Sequence, residues 1–250
     1  MNVVIWRKPP KTLLANRSEL HVWQIGLDIK QPLYTLLTSL LSPREIHDAN
    51  TFIFEEEFRR YQISYGFKRL VLAKYLNIPP KTLNLEKSKC GKPFISHLQN
   101  SLNIQFNLSH SHNLILMVVT IQDAVGIDVE HHIKELSEEI LINTIFSANE
   151  RLFFSKLIDE KERKKVFYRC WTRKEAYLKA QGVGLISDLK SISVDLNEFP
   201  SNPWITLPNN PEIKTSWKLF PLNLGELYTA SIVATPNQKH IIYYTANYLR

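Results

Sequence analysis

Cysteine is scarce. Only Cys90 and Cys170 are present, too few for a disulfide framework or for the four-thiolate cage of a structural zinc site. Both are read as free thiols. Long apolar runs are missing too: the longest, Leu114 to Val119, falls far short of the roughly 20 residues that cross a bilayer. No membrane association is expected. Near the N-terminus Arg7, Lys8, Pro9 and Pro10 interrupt the apolar residues at once. That leaves no apolar core for a secretory signal and predicts a cytoplasmic protein.

The 250 residues are 44% hydrophobic and 22% charged, the balance of a globular chain able to bury a core as one large domain or two fused halves. A formal net charge of +7 calls for an anionic partner. Nucleic acid, a phosphorylated small molecule and an acidic protein all meet that requirement.

Near-alternation of apolar residues predicts a strand over Leu20 to Ile29, and Pro43 opens a short helix. Recurrence at three, four and seven predicts a basic helix from Glu55 to Leu76, stopped by Pro79. Ile104 to Ile121 holds two apolar runs around the polar insert Asn107 to Asn113, expected as a loop or strand end at a cleft. The second half starts near Gln122. It is expected to hold a strand over Val125 to Val129, helices over Ser137 to Ile145, Ala148 to Leu157 and Glu160 to Gln181, and strands over Ser191 to Leu196, Trp217 to Leu222, Leu227 to Ala234 and Ile241 to Thr245. Asn197 to Pro211 reads as a loop. The organisation is therefore α+β, with halves 1–122 and 123–250.

Asp128 and Glu130 stand two apart in a strand, so the period of two puts both carboxylates on one face. Gly126 before them admits close approach of another segment. Crowded carboxylates repel unless a cation lies between them, and oxygen ligands in small number suit Mg2+. The alternative is a solvated acidic strand end. Trp171, Glu175 and Lys179 fall at i, i+4 and i+8 on one helical stripe. Alone they read as a packed aromatic beside an exposed ion pair; brought to Asp128 and Glu130, they add a third acid and a cation for a phosphate oxygen. Ser109 and His110 point to opposite sides of an extended chain, which disfavours a serine–histidine catalytic pair and suits phosphate binding better. Gly91-Lys92-Pro93 holds a lysine between two turn residues.

Taken in order, Gly91-Lys92-Pro93, Asn107-Leu108-Ser109-His110-Ser111, Gly126-Ile127-Asp128-Val129-Glu130 and Trp171-Thr172-Arg173-Lys174-Glu175-Ala176-Tyr177-Leu178-Lys179 resemble the motifs of the Sfp-type 4'-phosphopantetheinyl transferases. The resemblance implies two similar α+β halves related by a pseudo-twofold axis, with coenzyme A in the cleft between them. It also implies coenzyme A contacts from Arg60, Lys92, Ser109 and His110, and Mg2+ held by Asp128, Glu130 and Glu175. Lys179 would bind the pyrophosphate, and Glu175 would be the general base, directly or through a metal-bound water. Arm transfer would go to a serine of an acidic apo acyl or peptidyl carrier protein, releasing 3',5'-ADP, by a monomer with no nucleic-acid partner. A Mg2+-dependent phosphohydrolase or nuclease would use the same acids but leaves the glycine-lysine-proline turn and the serine-histidine pair without a task. A basic nucleic-acid module would need a basic stripe, whereas the cations here are interspersed with acids. In one place the chain departs from the family: Asp48 precedes Phe52-Ile53-Phe54 where a basic residue is usual.

Overall fold

A computed structural model describes residues 3–132, 138–182, 188–206, 217–238 and 240–249. Strand β1 (Glu19–Gly26) is followed by helices α1 (Gln31–Ser39), α2 (Pro43–Ala49) and α3 (Glu55–Leu76), the hairpin β2 (Leu85–Lys87) and β3 (Pro93–Ile95), and the long pair β4 (Ile104–Ser111) and β5 (Leu114–Ile121). Then come β6 (Val125–His131), α4 (Glu138–Ile145), α5 (Ala148–Phe154), α6 (Glu160–Gln181), β7 (Lys218–Asn223), β8 (Tyr228–Ala234) and β9 (His240–Thr245). The fold is mixed α+β.

Local chemistry sets the helix ends. Ser42 and Ser147 each close a capping box with a glutamate three residues on, Glu45 and Glu150. Both long helices begin acidic and end in a left-handed residue, Asn77 or Gly182. The same interval separates Ser42 from Ser147, Glu45 from Glu150, and Asn77 from Gly182. It also separates Arg69 from Lys174, the buried cations that pair with those two glutamates at 2.7 and 2.5 Å.

Strand order is β4-β5-β1-β9 in one sheet and β6-β8-β7 in the other. Alternation along β1 and β5 divides their side chains. Trp23, Ile25, Met117 and Val119 pack under α3 with Phe67 and Val71, while Leu20, Val22, Leu116 and Val118 meet Val125, Ile127, Val129 and Ile232 of the second sheet. The opposite face of that sheet, with Val233, packs against Phe167, Ala176 and Tyr177 of α6. Each fully buried aliphatic or aromatic side chain contributes about 1.5–3 kcal/mol.

Of the two readings of the insert Asn107 to Asn113, the strand end is the one found: β4 runs unbroken to Ser111 and turns at His112, whose φ is 48°, and Asn107 to His110 line a pocket. No strand forms over Ser191 to Leu196, where a 3-10 turn and one bridge, Ser193 to Thr206, are found. The strand expected over Ile241 to Thr245 is present as β9 and pairs parallel with β1, Leu20 opposite Ile241. Helix α1, with Pro32 in its first turn, escaped the sequence pattern. Ser137 and residues 207–211, within the expected helix and loop, lie outside the described residues.

Candidate active site

The site forms where β4 meets β6 without a backbone ladder; polar side chains make the join. Asn107 Oδ1 accepts the Ile127 N–H at 2.9 Å, and Ser111 Oγ accepts the His131 N–H at 3.0 Å. Between them Ser109 Oγ donates to Asp128 Oδ1 at 2.8 Å, and Ser111 Oγ donates to Glu130 Oε2 at 2.9 Å. A polar residue at every second position of β4 thus stitches the two sheets together and fixes both acids.

Helix α6 lies tightly against β6. A Cβ at Gly126 would sit 2.0 Å from the Ala176 carbonyl oxygen and 2.4 Å from the Ala180 nitrogen, so only glycine permits this approach. The stripe Trp171, Glu175 and Lys179 then faces the acids of β6. Lys179 Nζ donates to Asp128 Oδ1 at 2.6 Å and to Ser109 Oγ at 3.0 Å, and Trp171 Nε1 donates to Glu130 Oε1 at 3.3 Å. Asp128, Glu130, Glu175 and Lys179 line one pocket with Ser109 and His110.

Burial sets the electrostatics. Asp128 and Glu175 are buried, and among the described residues Asp128 Oδ2 and Glu175 Oε1 have no hydrogen-bond partner. Desolvation raises the pKa of all three acids; at Glu130 and Glu175 the Asp128 charge adds to the rise, and at Asp128 the Lys179 ammonium opposes it. Among the described residues no group of three or more His, Cys, Asp or Glu side chains is drawn together as a ready metal centre. The donor set nonetheless fits a hard cation: it is all oxygen, mutually repelling, and has two buried carboxylate oxygens without partners.

The remaining candidates are placed less simply. Burial and the nearby Arg60 and Lys179 cations push His110 down to about 4, and its ring makes no hydrogen bond to Ser109. Arg60 pairs with Glu56, and among the described residues its Nε has no partner. Lys92 is committed elsewhere: its Nζ donates to the Lys179 carbonyl at 2.6 Å and the Val125 carbonyl at 3.2 Å, while its neighbour Pro93 lines the pocket. Tyr65 and Lys68 of α3 also line the pocket and were not singled out from the sequence. Their spacing of three, on the helix that carries Arg60, was the available signal. Asp48, at the family's usual basic position, accepts from Tyr61 Oη at 3.3 Å and lies 3.9 Å from Lys87 Nζ.

Fold and site together define a mixed α+β protein whose pocket sets crowded acids against lysines, an arrangement suited to a phosphorylated ligand. A profile of the 4'-phosphopantetheinyl transferase superfamily matches residues 124–234, and one of the 4'-phosphopantetheinyl transferase N-terminal region matches residues 29–122. The chain is 34% identical over 217 residues to the 4'-phosphopantetheinyl transferase HetI of Nostoc sp., covering 87% of this chain and 88% of that protein. It is 30% identical to the 4'-phosphopantetheinyl transferase Sfp of Bacillus subtilis, covering 64% of this chain and 68% of that one. Against the L-aminoadipate-semialdehyde dehydrogenase-phosphopantetheinyl transferase of Xenopus laevis the identity is 27%, over 84% of this chain and 70% of that protein. The chain belongs to the 4'-phosphopantetheinyl transferase family, and phosphopantetheinyl transfer is its activity.

Proposed function

We propose that the chain moves the 4'-phosphopantetheine arm of coenzyme A onto a serine hydroxyl of an acidic apo acyl or peptidyl carrier protein in the cytoplasm, acting as a monomer. The observation that carries this reading is the seam where β6 meets β4 and α6. There Asp128, Glu130 and Glu175 crowd together with two unpartnered carboxylate oxygens, and Lys179 bonds directly to Asp128. Mg2+ held by these three acids would supply charge neutralisation at the pyrophosphate oxygens.

The protein's own groups account for the rest. Lys179 Nζ exchanges its Asp128 contact for a pyrophosphate oxygen and offsets charge developing there. The serine oxygen bonds to the β-phosphorus, the bond to the 3',5'-ADP oxygen breaks, and the serine proton passes to Glu175 Oε1. In the metal-free protein burial raises the Glu175 carboxyl, and Oε1 has no hydrogen-bond partner among the described residues, which leaves it open to the serine proton. His110, neutral at that pH, donates a ring N–H to a coenzyme A phosphate, and Ser109 and Arg60 add donors. Lys92 reaches a phosphate only by giving up its two carbonyl bonds.

Two similar α+β halves, 1–122 and 123–250, related by a pseudo-twofold axis, are part of the same reading. The repeated capping boxes and buried ion pairs support it, as does the correspondence of β4-β5-β1 with β7-β8-β6. The family profiles divide at the same place. Strand β9 then covers the edge of β1 that corresponds to the β6 edge facing β4.

The test is incubation with coenzyme A, Mg2+ and a panel of apo-carrier proteins, read by mass spectrometry. A carrier gaining one phosphopantetheine arm is the expected result. Failure to modify any acyl or peptidyl carrier would overturn the substrate assignment.

A further inference from the structure

The pocket has a second cationic pole, away from the acids, built from α3. Lys68 is 4% exposed, and among the described residues its ammonium makes no hydrogen bond or close ion pair. It lies 3.2 Å from the centroid of the Tyr65 ring, which in turn stacks on Tyr61 at 4.3 Å. The carboxylates around it are already engaged. Glu45 Oε2 and Oε1 accept from Arg69 at 2.7 and 3.1 Å, and Asp48 faces Lys87. Inside the fold, Lys68 and Arg69 share the single carboxylate of Glu45, and both of its oxygens are taken by Arg69. A buried charge without a partner is costly, and proteins keep one where a ligand completes it.

Of the charged groups facing Lys68, Glu45 attracts its ammonium, while Lys87 and Arg69 repel it. Burial pulls its amine down to about 7 against the attraction of Glu45 on α2, with Lys87 on β2 and Arg69 on its own helix adding to the fall. His110 on β4 senses the Lys68 charge as a repulsion. A tyrosine face stabilises a cation only partly. An anion entering from the pocket would complete it.

We infer that Lys68, seated on Tyr65, binds a phosphate monoester at the α3 end of the pocket and is a specificity-determining residue of this chain. The inference rests on the coenzyme A reading. There the pyrophosphate lies at Lys179 and the acids, so the group left for Lys68 is the separate 3'-phosphate of the ribose. Asp48 repels an anion at the position where the family usually places a base, and Lys68 supplies the charge from the next helix inward.

Calorimetric titration of the full chain with coenzyme A and with 3'-dephospho-coenzyme A, both with Mg2+, tests this, using wild type, Lys68→Met and Lys68→Arg. Loss of one charge-assisted contact should weaken coenzyme A binding to Lys68→Met by about 10–100-fold. Binding of 3'-dephospho-coenzyme A should be unchanged, and Lys68→Arg should recover part of the preference. Metal-free Lys68→Met should melt no lower than wild type, since it removes an unpaired buried charge; a purely structural lysine would lower the melting temperature. Equal weakening of both ligands, or no weakening, would overturn the inference while leaving the coenzyme A reading intact. Binding of inorganic phosphate lost in Lys68→Met without a change for coenzyme A would show a free-phosphate site instead and overturn it too. A wild type that binds neither coenzyme overturns both readings.

Discussion

Glu175 carries two proposed duties that a single substitution separates. Glu175→Gln keeps the size and one oxygen donor but removes the charge and the basic site. At saturating Mg2+, turnover should fall roughly 10²–10⁴-fold if the carboxylate takes the serine proton. Recovery of most of the rate as Mg2+ rises would make Glu175 a ligand only. Asp128 tests the crowding itself. Its folded pKa is raised, so between the ordinary carboxylate range and the raised value the folded protein binds more protons than the unfolded chain. Stability contributed by the protonated form is present below the unfolded pKa and is lost as pH rises through the folded one. Metal-free Asp128→Asn should therefore melt above wild type at pH 7, with the difference shrinking toward pH 4. Lys179, partly exposed, can turn to water when Asp128 loses its charge. A variant that melts lower at pH 7 would show that the Lys179 pair outweighs the desolvation of the acid. Turnover by Asp128→Asn at ordinary Mg2+ should be lost, and near wild-type rates would remove Asp128 from the metal set.

Helix α6 shows what an element asks of buried charge. Lys174 is fully buried and donates to Glu150 Oε2 at 2.5 Å, the Ile145 carbonyl at 2.7 Å and the Leu189 carbonyl at 3.0 Å. Glu150 also accepts the backbone N–H groups of Ser147 and Val194. Lys174→Met leaves that carboxylate without its cation and should cost about 3–5 kcal/mol, read by urea unfolding. A loss under 1 kcal/mol would mean that the two N–H donors hold Glu150 unaided. Such residues show how the sequence misleads. In Trp171 to Lys179 the i, i+4, i+8 stripe was legible because each member faces the same pocket. Arg173 and Lys174 read as equally polar yet are core, their charges consumed by carbonyls and Glu150. On α3 the same holds for Arg69, and Lys68 is hidden among residues buried all round the helix. Polarity that normally marks solvent also concealed the continuity of β4, where Asn107, Ser109 and Ser111 turn toward β6. The alternation itself was visible. The partner strand that satisfies it was not.

At the scale of the whole molecule, the fold class and the pairing of Asp128 with Glu130 were legible because each depends on local period. The place of β9 was not, because parallel pairing with β1 is set by chain ends far apart in sequence. Lys92 belongs to this scale as well. From the hairpin β2–β3 it donates to Val125 at the start of β6 and to Lys179 near the end of α6, so one ammonium ties the N-terminal profile's region to both elements bearing the acids. Burial holds that amine down, at about 8. As a strap, its removal in Lys92→Met should cost about 1–3 kcal/mol through the two hydrogen bonds lost. It should also raise the KM for coenzyme A by letting Lys179 shift, with kcat at saturation little changed. As a phosphate ligand, which the family resemblance implies, the same variant would raise KM without loss of stability. Urea unfolding beside steady-state kinetics separates the two. A fall in kcat with KM and stability both unchanged would contradict either role and place the Lys92 charge at the chemical step.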